Sequence, residues 1–464
     1  MKKKVLKKFC FILMLIVITA VFFIINNYRK SAYYYKTDSD YTYNFDFSNA
    51  KYFHLKLKDN RIIIPDSLNL FNTTSFIKLN LNTNLKSNFF RPEIKIYNDK
   101  NIINQFEIGA KGIRYINISN LTNDNGKELI IESKNISVDD QEVELIIFNN
   151  VNVNVKDSKI LVIAPHPDDA EIASYGLYST NNDTFILTIT AGEAGINTYD
   201  EIYKDSTEQY LQKGKLRTWN SITVPLLGGI SIENCINLGF FDGTLKTMYE
   251  NRNKDIEGLY TKTNNINTFR KYNVSKLQTY LKGSSSWISL VENIRVLLDT
   301  IKPELIITPY PVIDSNSDHK FTTVALLEAL KGKNIRNGRL LLYTNHHSKS
   351  EFFPFGNSGY GITLPPNFND SLYFNSIYSI PLSTTIQNDK MFALEAMNDL
   401  RLDTEWLNAK GSAKITSEIF LRKILAKDKD YFRRAVRSNE LFFVVDINKI
   451  YDKDVYDLLV KTTE

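Results

Sequence analysis

A chain of 464 residues is longer than a single hydrophobic core usually serves, so two domains are expected. Its 43% hydrophobic and 23% charged residues are those of a folded chain and exclude a disordered one. The formal charge of +5 is modest and partly set by lysines at the N-terminus, and no Lys/Arg stripe interleaved with aromatics runs along the chain, which argues against nucleic acid as a partner.

The first element is a basic head, Lys2, Lys3, Lys4, Lys7 and Lys8, followed by an apolar run of 17 residues from Phe9 to Ile25. Such a run lies at the short limit for a helix that must span a bilayer, about 20 residues. The lysines would stay in the cytoplasm and the rest of the chain would cross. The following NNYRKSAYYY is a poor cleavage site, so residues 1–30 are expected to be an uncleaved membrane anchor, with a secreted protein as the alternative if cleavage occurs. The expected address is the cytoplasmic membrane, single-pass, with an extracytoplasmic catalytic domain. Cys10 and Cys235 lie far apart, and neither a disulfide nor a cysteine metal cluster is expected from them.

Residues 31–48 are polar and aromatic with no steady period, as in a linker. Within 49–155, YFHLKLK, SFIKLNLN, PEIKIYN, ELIIES and VELIIFN are short, often alternating, and separated by Asn, Asp, Gly and Lys. They predict a small all-β sandwich domain. The 26 Tyr and 28 Phe read first as core of such a domain and second as a surface for sugars.

At Asp157 the pattern switches, opening a second domain over 156–464. KILVIA, TFILTIT, ELIITPY and GRLLLYT read as strands; DDAEIASYGLYS, KLQTYLKG, SWISLVENIRVLLDTI and FTTVALLEALKG read as helices. This alternation predicts an α/β fold, a Rossmann-like, mostly parallel sheet with helices on both faces. Further on, KMFALEAMNDL, LFFVVDI and YDKDVYDLLV suggest a helix, a strand and a short helix without a defined place.

Ligands of such sheets bind outside the carboxyl ends of the strands. Three polar loops gather there: HPDD after KILVIA, GEAG after TFILTIT and DSNSDH after ELIITPY. His166 and Asp169 stand three apart where a strand ends and a helix starts, with Pro165 and Pro167 restraining the turn. Imidazole and carboxylate are ordinary ligands of a divalent ion, and catalytic zinc sites commonly use three protein ligands. His319 is the third expected ligand, and Asp168, beside the pair, is the expected base. HPDD alone would equally suit a helix N-cap. Glu193, Arg217 and Asp242 are weaker candidates for substrate contact, set against a Gly-rich turn, a surface arginine and a turn former. No phosphate-loop spacing or GxGxxG occurs, so no nucleotide is expected.

These residues resemble the LmbE-like, PIG-L-type N-acetylglucosaminyl deacetylases over roughly 158–400. The signature there is a strand followed by HPDDE, and the chain reads His166-Pro167-Asp168-Asp169-Ala170-Glu171. Thr190–Gly195 matches the TxGExG strand end and Leu238–Gly243 the LGFxDG pattern. The resemblance implies zinc, or another divalent transition metal, on His166, Asp169 and His319, with Asp168 as general base and Asp318 as an orienting carboxylate. Two departures stand out. Asn316 occupies the place of a histidine that helps stabilise the oxyanion; an amide can donate a hydrogen bond there but cannot relay a proton. His346 or His347 could fill that vacancy. Ala170 displaces Glu171 by one place, so no family role is carried onto Glu171.

The expected function is metal-dependent removal of an N-acetyl group from an amino sugar, of the N-acetylglucosamine type, in a glycolipid or cell-surface polysaccharide. The alternatives are a carbohydrate-binding or envelope-assembly protein with a vestigial site, and an amidase or esterase acting on another acyl compound.

Overall fold

The computed structural model describes residues 2–30, 35–122, 128–139, 141–151, 153–195, 199, 202–347, 350–367, 371–397 and 431–461. The basic and apolar N-terminal segment does form a helix, α1 (Lys2–Lys30). Among the described residues, however, no helix is long and apolar enough to cross a membrane. The apolar run of 17 residues falls short of the roughly 20 that a bilayer requires. The expected membrane anchor, the single-pass topology and the outer-face location are corrected accordingly.

The described residues of 51–149 supply nine strands: β1 (Lys51–Lys58), β2 (Arg61–Ile63), β3 (Thr73–Thr83), β4 (Glu93–Tyr97), β5 (Asn101–Gln105), β6 (Gly112–Asn117), β7 (Glu128–Lys134), β8 (Ile136–Val138) and β9 (Glu142–Asn149). They join in one hydrogen-bonded sheet ordered β5-β4-β7-β2-β1-β9-β3-β6, with β8 on β3. Strand β1 is shared by two halves of this sheet: Lys51–Lys56 pairs antiparallel with β9, and Leu57 and Lys58 pair antiparallel with β2. The sheet closes on an aliphatic core that includes Leu55, Ile77, Leu79, Ile94, Ile96, Leu129 and Leu145. Because side chains alternate along a strand, Phe76, Tyr115, Ile146 and Phe148 face the other way. They join the core that also covers the second sheet. Phe45 lies between the two, with ring centroids 5.7 Å from Phe148 and 6.0 Å from Phe374.

The second sheet has seven strands: β10 (Ile160–Ala164), β11 (Thr184–Thr190), β12 (Cys235–Phe240), β13 (Leu305–Pro309), β14 (Arg339–Tyr343), β15 (Ser376–Pro381) and β16 (Asn439–Asp446), ordered β12-β11-β10-β13-β14-β16-β15. The first five run parallel. Strands β16 and β15 close one edge antiparallel. With the first sheet antiparallel as well, the expectation of a mostly parallel architecture is corrected to an α/β fold with mixed sheets. The reason lies in burial: β16 is buried on both faces, so its text LFFVVD is as continuously apolar as a parallel strand and does not reveal its direction.

The helices that bear on the site are, with the short turn α2 (Ser119–Thr122), α3 (Asp169–Tyr178), α4 (Ser206–Thr223), α5 (Leu245–Glu250), α6 (Asn267–Arg270), α7 (Trp287–Ile301), α8 (Ser317–Leu330) and α9 (Thr384–Glu395). α7 and α8 pack on one face of the sheet, α3 and α9 on the other. KLQTYLKG, expected as a helix, contains only a single tight turn, Lys276–Tyr280.

Strand order positions the site. From β10 the chain steps outward to β11 and β12, then returns to β13 and steps to β14 on the other side. The crevice between the ends of β10 and β13 is therefore the topological switch point, where ligands of such sheets bind. α3, which starts there, is broken at Ser174 (φ −144°, ψ 18°). Glu440 of β16 accepts from the N–H groups of Gly176 and Leu177, both at 2.9 Å, and pairs with Lys390 at 2.8 Å. Lys390 donates in turn to the carbonyl of Ile172 at 2.8 Å. Groups freed by the kink are thus satisfied by β16 and α9, as buried backbone polar groups require.

Replacing the fully buried Phe148 with alanine removes a ring from the core shared by the two sheets. The expected cost is about 3–5 kcal/mol. Amide exchange should accelerate in both sheets; acceleration confined to residues 51–149 would show that the sheets do not depend on each other.

Candidate metal centre

His166 follows β10, Asp169 opens α3, and His319 lies in the first turn of α8 after β13. One side-chain atom from each lies within 4.8 Å of the others, and all three residues are buried. Asp169 Oδ2 stands 3.1 Å from His166 Nδ1 and 3.1 Å from His319 Nε2. The latter contact is close but not aligned as a hydrogen bond, so His319 Nε2 has no hydrogen-bond partner among the described residues although it is sealed from solvent. A lone imidazole nitrogen facing a carboxylate and a second imidazole is the donor set that a divalent cation such as zinc satisfies. The residues present fit the ion.

The opposite side of each ring is also held. His319 Nδ1 lies 3.0 Å from Asp314 Oδ2, and His166 Nε2 lies 3.1 Å from Asp242 Oδ1 and 3.6 Å from Asp318 Oδ2. A carboxylate behind a ligating histidine fixes its tautomer and ring orientation. Those carboxylates are anchored in turn. Asp318 accepts from the N–H groups of Gly243 at 2.6 Å and Leu245 at 3.3 Å. Asp314 Oδ2 accepts from the N–H groups of Asn345 at 2.9 Å and His346 at 3.2 Å. Asp169 accepts from its neighbour's backbone, His166 N–H at 2.8 Å, and from the Asn345 side-chain amide at 2.8 Å.

Burial opposes the charge on Asp169, but His319 and His166 outweigh it and hold the carboxyl well below its usual range. Burial likewise disfavours a proton on His319, yet Asp169 and Asp314 bring it up to about 10. His166 is raised well above the ordinary imidazole value: burial works against this, and Asp242 and Asp169 overcome it.

Asp168 occupies the N-cap position of α3 but makes no capping hydrogen bond. Its Oδ1 instead lies 3.1 Å from Arg217 Nη2, and both side chains are largely buried. The capped-helix reading of HPDD therefore does not describe this turn, and Arg217 is not a surface residue. Gly192 (φ +64°) makes the pairing possible: a Cβ there would stand 2.6 Å from Arg217 Nε and 2.7 Å from Pro167 Cδ.

The other expected residues divide clearly. Asp242 is brought to His166. Glu193 is fully buried, its two oxygens accepting from the Asp242 N–H at 3.2 Å, and burial followed by the charge of Asp242 pushes its carboxyl up to about 8. It supports Asp242 from below. Asn316 is the N-cap of α8, its side-chain oxygen accepting from the N–H groups of Asp318 at 2.8 Å and His319 at 3.4 Å. Glu171 points away, accepting from the Tyr178 hydroxyl at 3.1 Å. His346 stands edge-on to His319, ring centroids 4.8 Å apart, whereas His347 turns to Phe353 at 5.6 Å.

Asp314 and Asn345 were not among the expected residues. Asp314 is the first acid of the DSNSDH loop, and Asn345 follows GRLLLYT at the same sheet edge, so the edge rule was the signal available for both.

The family model described as GlcNAc-PI de-N-acetylase, PIG-L, matches residues 161–330. No curated protein matches the chain. Among solved structures, the A40926 pseudoaglycone deacetylase Dbv21 is 16% identical, with a TM-score of 0.32 over 62% of this chain and 98% of its own. The zinc-inhibited form of teicoplanin deacetylase Orf2 is 13% identical, with a TM-score of 0.32 and the same coverages, 62% and 98%. The 4-carboxy-2-hydroxymuconate hydratase GalB of Pseudomonas putida KT2440 is 11% identical, at TM-score 0.32 over 62% of this chain and 96% of its own.

Since the metal-free His319 holds its proton up to about pH 10, a cation must displace it. Zinc affinity should therefore rise from about pH 6 to about pH 9, with proton release visible by calorimetry in buffers of different ionisation enthalpy. Affinity that ignores pH would contradict the ligand set. Asp314→Asn should weaken zinc binding about 10- to 100-fold while leaving the fold intact by circular dichroism.

Proposed function

From a chain whose residues 161–330 match the PIG-L family model, we propose that the protein is a metal-dependent N-deacetylase that hydrolyses the acetamide of an amino sugar. The observation that carries this reading is the buried His166–Asp169–His319 set with a second acid, Asp168, beside it and not spent on the helix. The substrate would be an amino-sugar glycan or glycolipid. The earlier narrowing to a surface polymer rested on a membrane address and falls with it.

A divalent ion held by His166, Asp169 and His319 would supply Lewis acidity to the amide carbonyl and to water. Asp168 would take the proton from the attacking water and return it to the departing amine nitrogen. Its partner Arg217, at 3.1 Å, points the carboxylate in one direction. Asp314 behind His319, with Asp242 and Asp318 behind His166, keeps the ligating nitrogens aimed at a common centre. Asn316 gives its side-chain oxygen to α8, which leaves its amide N–H groups as the end able to donate to the developing oxyanion. His346 is the second donor at that edge of the site. The division into a β-rich domain over 49–155 and a catalytic domain over 156–464 belongs to the same proposal.

Acetate release from N-acetylglucosamine oligomers, with and without chelator, tests the reading. Asp168→Asn should keep stoichiometric zinc and lose about 10²- to 10⁴-fold in kcat. His319→Ala should lose zinc and activity together. Wild-type rates in Asp168→Asn would remove the base assignment, and chelator-resistant turnover would remove the metal.

A further inference from the structure

Two side chains from the metal centre, the loop after β14 meets the edge of the first sheet. Consecutive residues turn opposite ways here: His346 faces His319, and His347 faces Phe353. Phe353 forms one wall of a crevice whose other walls include Asn104, Glu107, Phe352, Thr363 and Arg437. Strand β5, an edge of the first sheet, supplies Asn104. The loop supplies Thr363 two residues beyond Gly361, whose N–H donates to Ile103 at 2.8 Å. About 330 Å³ lies between the walls, solvent at the mouth included. Asn104 and Thr363 set their polar atoms at the crevice's buried floor.

The chemistry of this floor is specific. Asn104 is 2% exposed, and among the described residues neither its side-chain nitrogen nor its oxygen has a hydrogen-bond partner. The Thr363 hydroxyl also has none. Leaving such groups unpaired costs about 1–3 kcal/mol each, so something polar must complete them. The charges nearby are already committed. Arg437 spends its guanidinium on the carbonyls of Tyr360, Pro354, Phe352 and Gly361. Glu107 accepts from the Tyr35 hydroxyl. What remains buried and unpaired among the described lining is one amide offering both donor and acceptor and one hydroxyl, with aromatic walls at Phe352 and Phe353. That combination suits a neutral, hydroxyl-rich ring whose apolar face lies on an aromatic, and it does not suit an anion or a cation.

We propose that this crevice is a second carbohydrate subsite, in which Asn104 and Thr363 bind hydroxyl groups of another sugar in the oligomer that carries the acetamide. It rests on the amino-sugar reading above and narrows the substrate to an oligomer. The ring lies across the mouth, with its hydroxyl-bearing edge directed to the floor. The first sheet then contributes to length selectivity, while the chemistry stays at the metal centre.

The test compares deacetylation of N-acetylglucosamine with that of its β-linked tetramer, chitotetraose in the fully N-acetylated form, by the full chain, by Asn104→Ala and by the near-isosteric Thr363→Val, which keeps the result readable if the first variant melts. In each variant the ratio of kcat/KM for tetramer over monomer should fall about five- to tenfold, the worth of an uncharged hydrogen bond. Metal-free protein should also bind chitotetraose, more weakly in both variants. If wild type releases acetate but both variants keep the wild-type ratio, the crevice holds only water and the proposal fails while the deacetylase reading stands. If no sugar is hydrolysed yet metal-free protein binds chitotetraose through Asn104 and Thr363, the deacetylase reading fails and the subsite stands.

Discussion

The carboxylate of Asp169, 3.1 Å from two imidazole nitrogens in a buried site, is the constraint around which the second sheet is arranged. Three chain segments must converge for it to exist: the loop after β10, the first turn of α3, and the first turn of α8 after β13. A parallel sheet brings these together only where the strand order reverses, because there the loops diverge and leave a crevice. Asn345, arriving from β14, closes the remaining side by donating to Asp169 at 2.8 Å. The Lys390–Glu440 pair belongs to the same constraint. It stabilises the break at Ser174, one turn beyond Asp169, and so fixes the direction in which α3 leaves the site.

Much of the centre was legible because its signals are local. His166, Asp168 and Asp169 lie within four residues of one another, flanked by prolines, at the end of an uninterrupted apolar strand. His319 could be paired with them because it follows another such strand, and strand ends on one sheet edge are neighbours wherever they fall in sequence. The partners behind the ligands were harder to find. Asp314 and Asn345 matter through distances of about 3 Å set by the packing of β13 against β14, and in the sequence only their place at the carboxyl edge of the sheet marks them. Asp242 and Arg217 were weighed as a turn former and a surface residue because FFDG and KLRTWN fit those roles locally; only the tertiary fold turns both inward.

The outer architecture was less legible for a related reason. Alternation finds the strands of residues 51–149, but it cannot show that β1 changes partner at Leu57 and so makes one sheet of the two layers. Nor does a doubly buried strand such as β16 carry a mark of direction. The strand β12, CINLGF, was obscured by Asn237 and Gly239, an amide and a glycine where an apolar run was expected. Asn237 is in fact fully buried, donating to the Thr190 carbonyl at 3.0 Å and the Ser221 hydroxyl at 3.1 Å. Its polar side chain joins β12 to β11 and α4, and its own energetics are those of a satisfied amide, not of a loop.

The balance of buried charge leads to the same centre from another direction. Asp168, Asp169, Asp314, Asp318 and Glu193, all buried, and the partly buried Asp242 surround two imidazoles, with Arg217 as the cation paired to Asp168. Carboxylates in so dry a volume can stay ionised only if positive charge is close, since an unpaired buried charge is among the costliest features a fold can contain. In the metal-free chain protons fill that need: both histidines are raised, His319 to about 10, and Glu193 is pushed to about 8. Protons on the imidazoles would block the very nitrogens that face Asp169. A divalent cation at the same point supplies the charge while freeing those nitrogens to ligate it, so one ion accounts for the excess of acid, the orphaned His319 nitrogen and the carboxylates behind each ring.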